Sequence, residues 1–590
     1  MRNSGLLFHR SFVRCGENSC TLSSSIDDFL VPYTSSNYLL SAVILATCLL
    51  LVVMKPATGG KLFRKIASVF SAAARNKSRT IVGLFFAVVA LRVALLPLLP
   101  LPLPGIHDEF SHLLLGDTLA HGRLTNPTHP MWRSFETFHE NWIPTYASMY
   151  PPAQGVALAL GQLLGHPWLG VLLSNAAMCA AILWMLQGWL PPKWALLGAL
   201  LAAVKLSFAS YWMNSYWGGA VAAMGGALVL GALPRIKHRA RHRDALVLGL
   251  GIAILANSRP YEGLLFSSPV AAWLLWWLIK DRASRIPRAL RLRHVLMPLL
   301  LVLACTVASM AYYNWRVTSH PLLFSYTLNL RTYVTGPIFL WQDARPALHY
   351  NNQVFDDFYN GWERKDYQRS WAGARAVSLV KWKRFRLVFF WPATLLLLPM
   401  LACLFHDRRV RLLLITLLVS IPGLFIIVWS NPHYAAPLTC VIFALLAQAL
   451  RHLSKWKISG RPIGAALSIG IALLLVVQVA GELHARKCDE LTWACTGDSS
   501  RFEILRQLQA QPGKHLILVR YEPDHNIHDE WVFNGAEIDS AKVLWARELN
   551  AAQNAALVRY FHDRTIWLVD PDIDNTDLQP YTAAETIPKP

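Results

Sequence analysis

Charge is scarce in this sequence. Only 15% of its 590 residues are Asp, Glu, Lys or Arg while 54% are hydrophobic, and so little charge cannot cover a string of soluble domains with polar surface. Acid is scarcer than base, 35 residues against 56, which leaves a formal net charge of +21. The basic residues stand in short runs between apolar stretches rather than along one face, a pattern of cytoplasmic loops that argues against a nucleic-acid partner. Cysteine is also sparse, nine in all, and Cys48, Cys179, Cys305, Cys403 and Cys440 lie within apolar stretches, where a thiol behaves as a small buried hydrophobe. Residues 1–38 lack a charged start, a short apolar run and a small-residue cleavage site, so no cleavable signal is expected. No internal repeat relates one half of the chain to the other.

Long hydrophobic runs are what the sequence has in abundance. Stretches able to cross, or nearly cross, a ~30 Å apolar core fall at 38–54, 80–101, 167–189, 194–212, 216–233, 245–257, 261–279, 295–315, 387–404, 410–429, 433–450 and 462–480. The expectation is an all-α polytopic membrane protein with about 11–12 transmembrane helices. Lys55, Lys61, Arg64, Lys65, Arg75, Lys77 and Arg79 carry no balancing acid, which makes the segment before 80–101 cytoplasmic. Later turns that should share that side are basic too: Arg235 to Arg243, Lys280 to Arg293, His406 to Arg411 and Arg451 to Arg461. The alternation places 105–166, 316–386 and everything after 482 outside. Counting 38–54 as a span puts the N-terminus outside as well, with Arg2, Arg10 and Arg14.

Residues 151–165 are apolar but too short to span, which predicts a helix at the outer surface or packed in the bundle. The two arms within 245–279 are near the lower limit of length. Their tip, Asn257-Ser258-Arg259-Pro260-Tyr261-Glu262, is therefore expected to dip below the interface, where charge needs protein or a wet cavity, and Arg259 and Glu262 become site candidates. Lys205, in the middle of 194–212, predicts a buried partner or a snorkelling side chain. From about 482 the spans stop. Residues 516–520, 542–547 and 565–570 read as short buried strands with helices at 501–509 and 551–562, which predicts a small α/β domain with a mostly parallel sheet. Asp570-Pro-Asp-Ile-Asp574 lacks the Gly and distal Glu of a calcium loop and reads as an acidic turn. Cys488 and Cys495, outside on this topology, are expected to pair as a local disulfide.

The polar step Gly105-Ile106-His107-Asp108-Glu109-Phe110-Ser111-His112 directly follows an apolar span. An outward carboxylate at such a mouth suits the abstraction of a proton from an acceptor hydroxyl as it attacks a sugar carbon with a lipid phosphate leaving. If the step is extended, Asp108 and Glu109 point to opposite sides, and Asp108 is the expected base; the pair would also favour a helix N-terminus. Departure of a phosphate needs a cation, for which Arg259, Arg331 and His433 are the outward candidates. Each has a plainer reading: an Arg259–Glu262 pair, a solvated loop for Arg331, a cap for His433. The loop 316–386, with Asn329, Arg331, Tyr333, Trp341, Asp343, Phe358, Tyr359, Trp362 and Glu363, offers the aromatic faces and polar groups that bind sugar rings, or equally an interfacial aromatic belt. His107, His112, His121, His129 and His139 share the first outer loop, but none of them forms a His-x-x-x-His pair, so no metal site is expected.

The polar step after a span, the long outer loop, Met149-Tyr150-Pro151-Pro152-Ala153-Gln154-Gly155, and Asn431-Pro432-His433-Tyr434-Ala435-Ala436-Pro437 opening a late span together resemble the GT-C membrane glycosyltransferases, the superfamily of protein mannosyltransferases and aminoarabinose transferases. The resemblance covers about 80–480. It implies an inverting transfer from a polyprenyl-phosphate sugar to a glycan, lipid or protein acceptor, with Asp108 as catalytic base beside Glu109. Glu136 or Glu140 would be a second loop acid, and His107, His112, Tyr150, Arg259, Glu262, Arg331, His433 and Tyr434 the substrate-binding set. The oligosaccharyltransferase branch holds a divalent metal with an Asp-x-Asp-type motif; the step here reads His-Asp-Glu and is similar to the metal-independent branch, so the lipid-linked donor is the only cosubstrate implied. The expected organisation is 1–79 as an N-terminal segment, 80–481 as a GT-C-like catalytic domain, and 482–590 as a soluble extracytoplasmic α/β domain, in a bacterial inner membrane. A transporter or flippase of lipid-linked sugars, or a non-catalytic envelope assembly subunit, is the alternative.

Overall fold

The computed structural model describes residues 14–16, 19–21, 35–54, 56–281, 286–364, 369–390, 392–484, 497, 499–573 and 578–581. Cys488, Cys495 and Asp574 lie outside the described residues. After a small hairpin of β1 (Arg14–Gly16) and β2 (Ser19–Thr21), the chain is helical: α1 (Ser35–Val53), α2 (Pro56–Ala73), α3 (Lys77–Ala94), α4 (His107–Ala120), α5 (Pro152–Leu163), α6 (Pro167–Trp189), α7 (Pro192–Leu206), α8 (Ala220–Arg239), α9 (His242–Ala256) and α10 (Pro260–Ile279). A second set follows as α11 (Met297–Thr318), α12 (Ser325–Thr332), α13 (Trp371–Phe389), α14 (Arg411–Ile426), α15 (Thr439–Leu453) and α16 (Ile463–His484). Helix starts follow local chemistry. Asn76 accepts from Arg79 N at 3.1 Å and Ser370 from Gly373 N at 2.9 Å, while α5, α6, α7 and α10 all begin on proline, whose missing N–H and fixed φ suit the first turn.

The chain is a multi-pass helical membrane protein. Among the described residues, six helices are long and apolar enough to cross a membrane: Pro167–Trp189, Ala220–Arg239, Pro260–Ile279, Arg288–Thr318, Pro432–Leu453 and Ile463–His484. The pair Leu397–His406 and Arg411–Ile426, bent by 113°, adds a seventh if it is one span. The apolar runs at 194–212 and 245–257 form helices of only 15 residues, α7 and α9, below the ~20 that a straight crossing needs.

The shortfall has a visible cause between α7 and α8. Residues 207–219 are buried but form no helix, and chain of that kind survives at depth only when protein groups serve its polar atoms. They do: Asn175 Nδ2 donates to Trp212 O at 2.8 Å, Trp168 Nε1 to Met213 O at 3.0 Å, and Glu109 accepts from Tyr216 N at 2.8 Å. Arg92, fully buried on α3, donates to Asn214 Oδ1 at 2.8 Å and to Leu99 O at 3.0 Å with its guanidinium over the Trp168 ring. Lys205 lies 4.0 Å from Glu482 of α16, the buried partner expected of it.

The short helix expected at 151–165 packs within the bundle. There α5 crosses α6 at glycines: a Cβ on Gly170 would lie 1.9 Å from Ala157 O, and one on Gly161 would lie 2.3 Å from Gly170 N. By contrast the α11 span is only 11% buried, with Leu300, Leu301 and Val307 exposed, as a lipid-facing helix would be.

The C-terminal segment carries α17 (Ser499–Ala510), α18 (Ala551–Tyr560), β5 (Lys514–Val519), β6 (Val543–Arg547), β7 (Arg564–Val569) and β8 (Gln579–Pro580). The sheet order is β6-β5-β7-β8; β5 pairs in parallel with both neighbours and β8 returns antiparallel. Strand alternation gives two apolar faces. Ile517, Val519 and Trp545 pack with Ile504 and Leu508 of α17. Leu516, Leu518 and Leu544 pack with Leu114, Phe135, Trp142 and Tyr146 of the first outer loop. Asp570 and Asp572 bind within the fold, Asp572 accepting from Glu522 N at 3.0 Å and meeting His525 at 2.8 Å, as an ordinary acidic turn does.

Gly170→Ala is expected to lower unfolding stability of the purified protein by about 2 kcal/mol or more, because Ala157 O is backbone and cannot step aside. The control is Gly83→Ala on α3, where a Cβ meets nothing within 4 Å and helix propensity gains ~0.5–1 kcal/mol. Equal behaviour of the two variants in a thermal melt would refute the crossing geometry.

Candidate functional site

The polar step at 105–112 is a helix start, not an extended segment. Ile106 is extended, with φ −121° and ψ 139°, and α4 begins at His107. Glu109 then folds back as a cap: its Oε2 accepts from Gly105 N at 2.9 Å and Ile106 N at 3.1 Å, and its Oε1 accepts from Tyr216 N at 2.8 Å. The side chain is 1% exposed. Burial pushes its carboxyl up to about 7 against the pull of these amides. Glu109 therefore positions the helix, and both its oxygens are committed to backbone.

Asp108, one residue earlier on the helix, turns elsewhere and remains one-fifth exposed. Tyr150 donates its hydroxyl to Asp108 Oδ1, and His139 Nδ1 lies 3.8 Å from Oδ2. Burial and the neighbouring carboxylate hold the Tyr150 phenol far above its ordinary value, so it stays a donor. His139 is held against Asp108 by a left-handed backbone, φ 60°, a conformation that costs a non-glycine residue ~1 kcal/mol or more. Its carbonyl accepts from Ser111 Oγ at 2.6 Å and Met149 N at 3.0 Å. A two-residue ladder of β3 (Glu140–Asn141) and β4 (Ala147–Ser148) then returns the chain so that Tyr150 reaches back over α4. His112 stacks on the Tyr150 ring with centroids 4.3 Å apart.

The two prolines after Tyr150 continue the construction. Pro151 is extended and Pro152 opens α5, and Ala153 N donates to Asn257 O at 2.8 Å, which binds the start of α5 to the 257–259 tip between α9 and α10. Arg259 lies on that tip with its guanidinium 4.2 Å from the Tyr434 ring centroid, a cation–π contact. No ion pair within 4 Å joins it to Glu262 among the described residues.

These groups border a cavity of about 420 Å³. Tyr150, Arg259, Glu262, Tyr326 and Tyr434 supply polar lining, and Met310, Phe324, Leu330, Ile338 and Phe339 an apolar wall. Asp108 stands one hydrogen bond behind Tyr150. The volume suits a small ligand, and the combination of one guanidinium, phenols and an apolar wall suits a molecule with an anionic head and a greasy tail.

Other expected residues fall outside the cavity. His433 is buried behind Tyr434, its Nδ1 3.1 Å from the Tyr211 hydroxyl and its ring against Trp217. His107 stacks on Phe138 at 4.1 Å in an aromatic cluster. Glu136 accepts from Tyr333 at 2.9 Å and Asn351 at 3.1 Å, while Glu140 is fully buried, and that burial, with the charge of nearby Glu530 second to it, pushes its carboxyl far up. Both acids face the C-terminal sheet, where Arg547 bonds Glu530 and donates to Glu136 O at 2.8 Å. Arg331 is exposed on α12. The sequence reading missed Tyr326, the cavity position of Glu363, and Trp429; the aromatic and acidic density of 316–386 was the available signal for the first two, without a pattern to single them out, and Trp429 lay outside it.

A divalent metal fits poorly here. Asp108 has one imidazole near it, Glu109 is taken up by amides, and among the described residues no three His, Cys, Asp or Glu side chains converge on one point.

No family model matches the chain, and no curated protein matches it. Solved structures do. The chain is similar to ArnT from Cupriavidus metallidurans bound to undecaprenyl phosphate, with a TM-score of 0.43 and 12% identity over 83% of this chain and 93% of that one. It is similar to the Archaeoglobus fulgidus oligosaccharyltransferase tethered with an acceptor peptide, with a TM-score of 0.42 and 12% identity over 82% of this chain and 68% of that one. It is also similar to AglB from Archaeoglobus fulgidus in complex with an inhibitory peptide and a dolichol-phosphate, with a TM-score of 0.38 and 11% identity over 82% and 69%.

Glu109 predicts a pH dependence with a definite sign. Its proton is held up to about 7 in the fold against 4.5 for the free carboxyl, so the folded state binds more protons than the unfolded one between these values. This contribution, on the order of 3 kcal/mol, is complete below the lower value and is lost as pH rises through the upper one. Chemical denaturation of the wild type is expected to show stability falling from about pH 5 to pH 8 more steeply than in Glu109→Gln, and parallel slopes would contradict it.

Proposed function

We propose that the chain is an integral membrane glycosyltransferase that moves a sugar from a polyprenyl-phosphate carrier to an acceptor at the extracytoplasmic face of a bacterial inner membrane, with Asp108 as general base. The observation that carries this reading is the Asp108–Tyr150 pair set beside a cavity that has Arg259 and an apolar wall. Basic loops on the opposite side of the bundle, such as Arg235 to Arg243, support the sidedness.

The chemistry follows from the groups present. An acceptor hydroxyl attacks the anomeric carbon of the donor; its proton passes to Asp108, and the bond from that carbon to the phosphate oxygen breaks with its electron pair on the phosphate. Attack opposite the leaving group inverts the anomeric centre. Tyr150 keeps its proton and holds one oxygen of Asp108, leaving the other to the acceptor. Arg259, half-buried and braced on Tyr434, meets the charge that gathers on the phosphate, where a fixed cation is worth most. The polyprenyl chain lies against Met310 and the exposed side of α11. The acceptor is a glycan, a lipid or a protein.

Asp108→Asn is expected to cut transfer by a hundredfold or more while the protein still inserts, and cells carrying it should accumulate one lipid-phosphate sugar and lose one envelope modification by mass spectrometry. Turnover near wild type would remove Asp108 as base. Arg259→Ala should raise the donor KM more than the acceptor KM; an unchanged donor KM would take Arg259 out of the donor site.

A further inference from the structure

The helix α13 takes no part in the transfer as described, and its charge is out of place. From Arg369 to Arg386 the sequence holds six basic residues and no acidic one. Runs of that kind belong to cytoplasmic loops, yet α13 is fastened to the cavity side of the bundle. Lys381 Nζ donates to Phe425 O at 3.0 Å and to Ile427 O, and Arg384 Nη1 donates to Asn431 Oδ1 at 2.9 Å; Ile427 lines the cavity. Topology therefore does not account for the run. Nor does α13 belong to the six helices apolar enough to cross a membrane among the described residues.

The two sides of the helix differ. Lys381, Phe385 and Val388, spaced by four and three, are buried against the bundle. The opposite stripe is Trp371, Arg375, Leu379, Trp382, Lys383 and Arg386. Trp371 is 93% exposed, Trp382 43% and Leu379 38%, Arg375 and Lys383 are exposed as well, and Arg386 is half-buried. Arg369 pairs with Asp343 at 2.7 Å, but among the described residues Arg375, Lys383 and Arg386 have no acid within 4 Å.

Indole rings and cations on one face fit neither bulk water nor the hydrocarbon core. Water leaves the rings unburied, and the core strands the charges. The headgroup layer accommodates both, with tryptophan at the apolar boundary and arginine or lysine beside phosphate. Uncompensated positive charge adds a preference within that layer, because it is attracted to a lipid of net negative charge, whereas a zwitterionic lipid cancels its own phosphate.

We infer that α13 is a binding surface for anionic phospholipid on the cavity side of the membrane. Arg375, Lys383 and Arg386 meet the headgroup phosphates, while Trp371, Leu379 and Trp382 lie at the apolar boundary. The inference does not rest on the transferase reading.

The test uses the full chain in phosphatidylcholine nanodiscs doped with phosphatidylglycerol that carries a photo-crosslinker on its headgroup. A phosphatidylcholine probe of the same design serves as comparison, and adducts are located by peptide mass spectrometry. Wild type is expected to give tenfold or more α13 adducts from the anionic probe than from the zwitterionic one, an excess that shrinks as salt is raised. Arg375→Gln and Lys383→Gln should each cut the excess about fivefold. Replacing Arg375, Lys383 and Arg386 together by Gln should remove it, with adducts on the basic run 235–243 as in wild type. Equal labelling of α13 by the two probes, or an excess that survives the triple replacement, would overturn the inference. Displacement of the α13 adducts by undecaprenyl phosphate at a tenth of the probe's concentration would overturn it too, by assigning the surface to that lipid.

Discussion

Three backbone amides share the carboxyl of Glu109, and the site depends on that arrangement. Gly105, Ile106 and Tyr216 donate to it, so one side chain fixes the entry to α4 and also the non-helical chain at 207–219. Both are places where buried N–H groups would otherwise lack partners, and the cost of each unpaired group at that depth is several kcal/mol. The adjacent acid is released from capping because its neighbour performs it. Asp108 keeps its carboxylate for Tyr150 and His139.

The Tyr-Pro-Pro sequence has a corresponding physical meaning. Tyr150 must point back to Asp108 while the chain after it immediately becomes a helix. Two prolines satisfy that demand: Pro151 is held extended and Pro152 starts α5 without an amide to satisfy. The hydrogen bond from Ala153 to Asn257 then brings the Arg259 tip to the same place. The acid, the phenol and the guanidinium thus lie far apart in sequence yet are coupled by short, rigid connections, which is how geometry within a fraction of an ångström is maintained at a reacting centre.

Much of this was legible from residue type and spacing. Tyr150, Arg259, Glu262 and Tyr434 meet around one cavity with Asp108 bonded behind Tyr150, and the strands at 514–519, 543–547 and 564–569 form the parallel sheet that their apolar runs predict. Hydropathy alone could not show how the chain between the helices is held. Ser207 to Gly219 is more polar than the helices on either side, with three serines and Asn214 among its aromatic residues, and its buried, non-helical course is sustained by Asn175, Trp168, Arg92 and Glu109, partners from other parts of the chain that no local window contains. The same applies to Glu136 and Glu140. Their positions in the loop resemble those of site acids, but long-range contacts with Tyr333, Asn351 and the C-terminal sheet draw them away from the cavity.

The C-terminal segment is part of this construction rather than an appendage. One face of its sheet buries Leu114, Phe135, Trp142 and Tyr146 of the first outer loop, and apolar side chains of that size are worth about 1.5–3 kcal/mol each when buried. A hydrogen bond and a ring stack fix the docking: Asp117 of α4 accepts from Ala536 N at 2.6 Å, and Phe110 stacks on Phe533 with centroids 3.7 Å apart. Both residues lie on the helix that carries Asp108 at its first turn. The orientation of Asp108 is therefore set from two sides, by Glu109 at the helix start and by the sheet along the helix flank. A shift of the sheet against the loop would reach the cavity through α4.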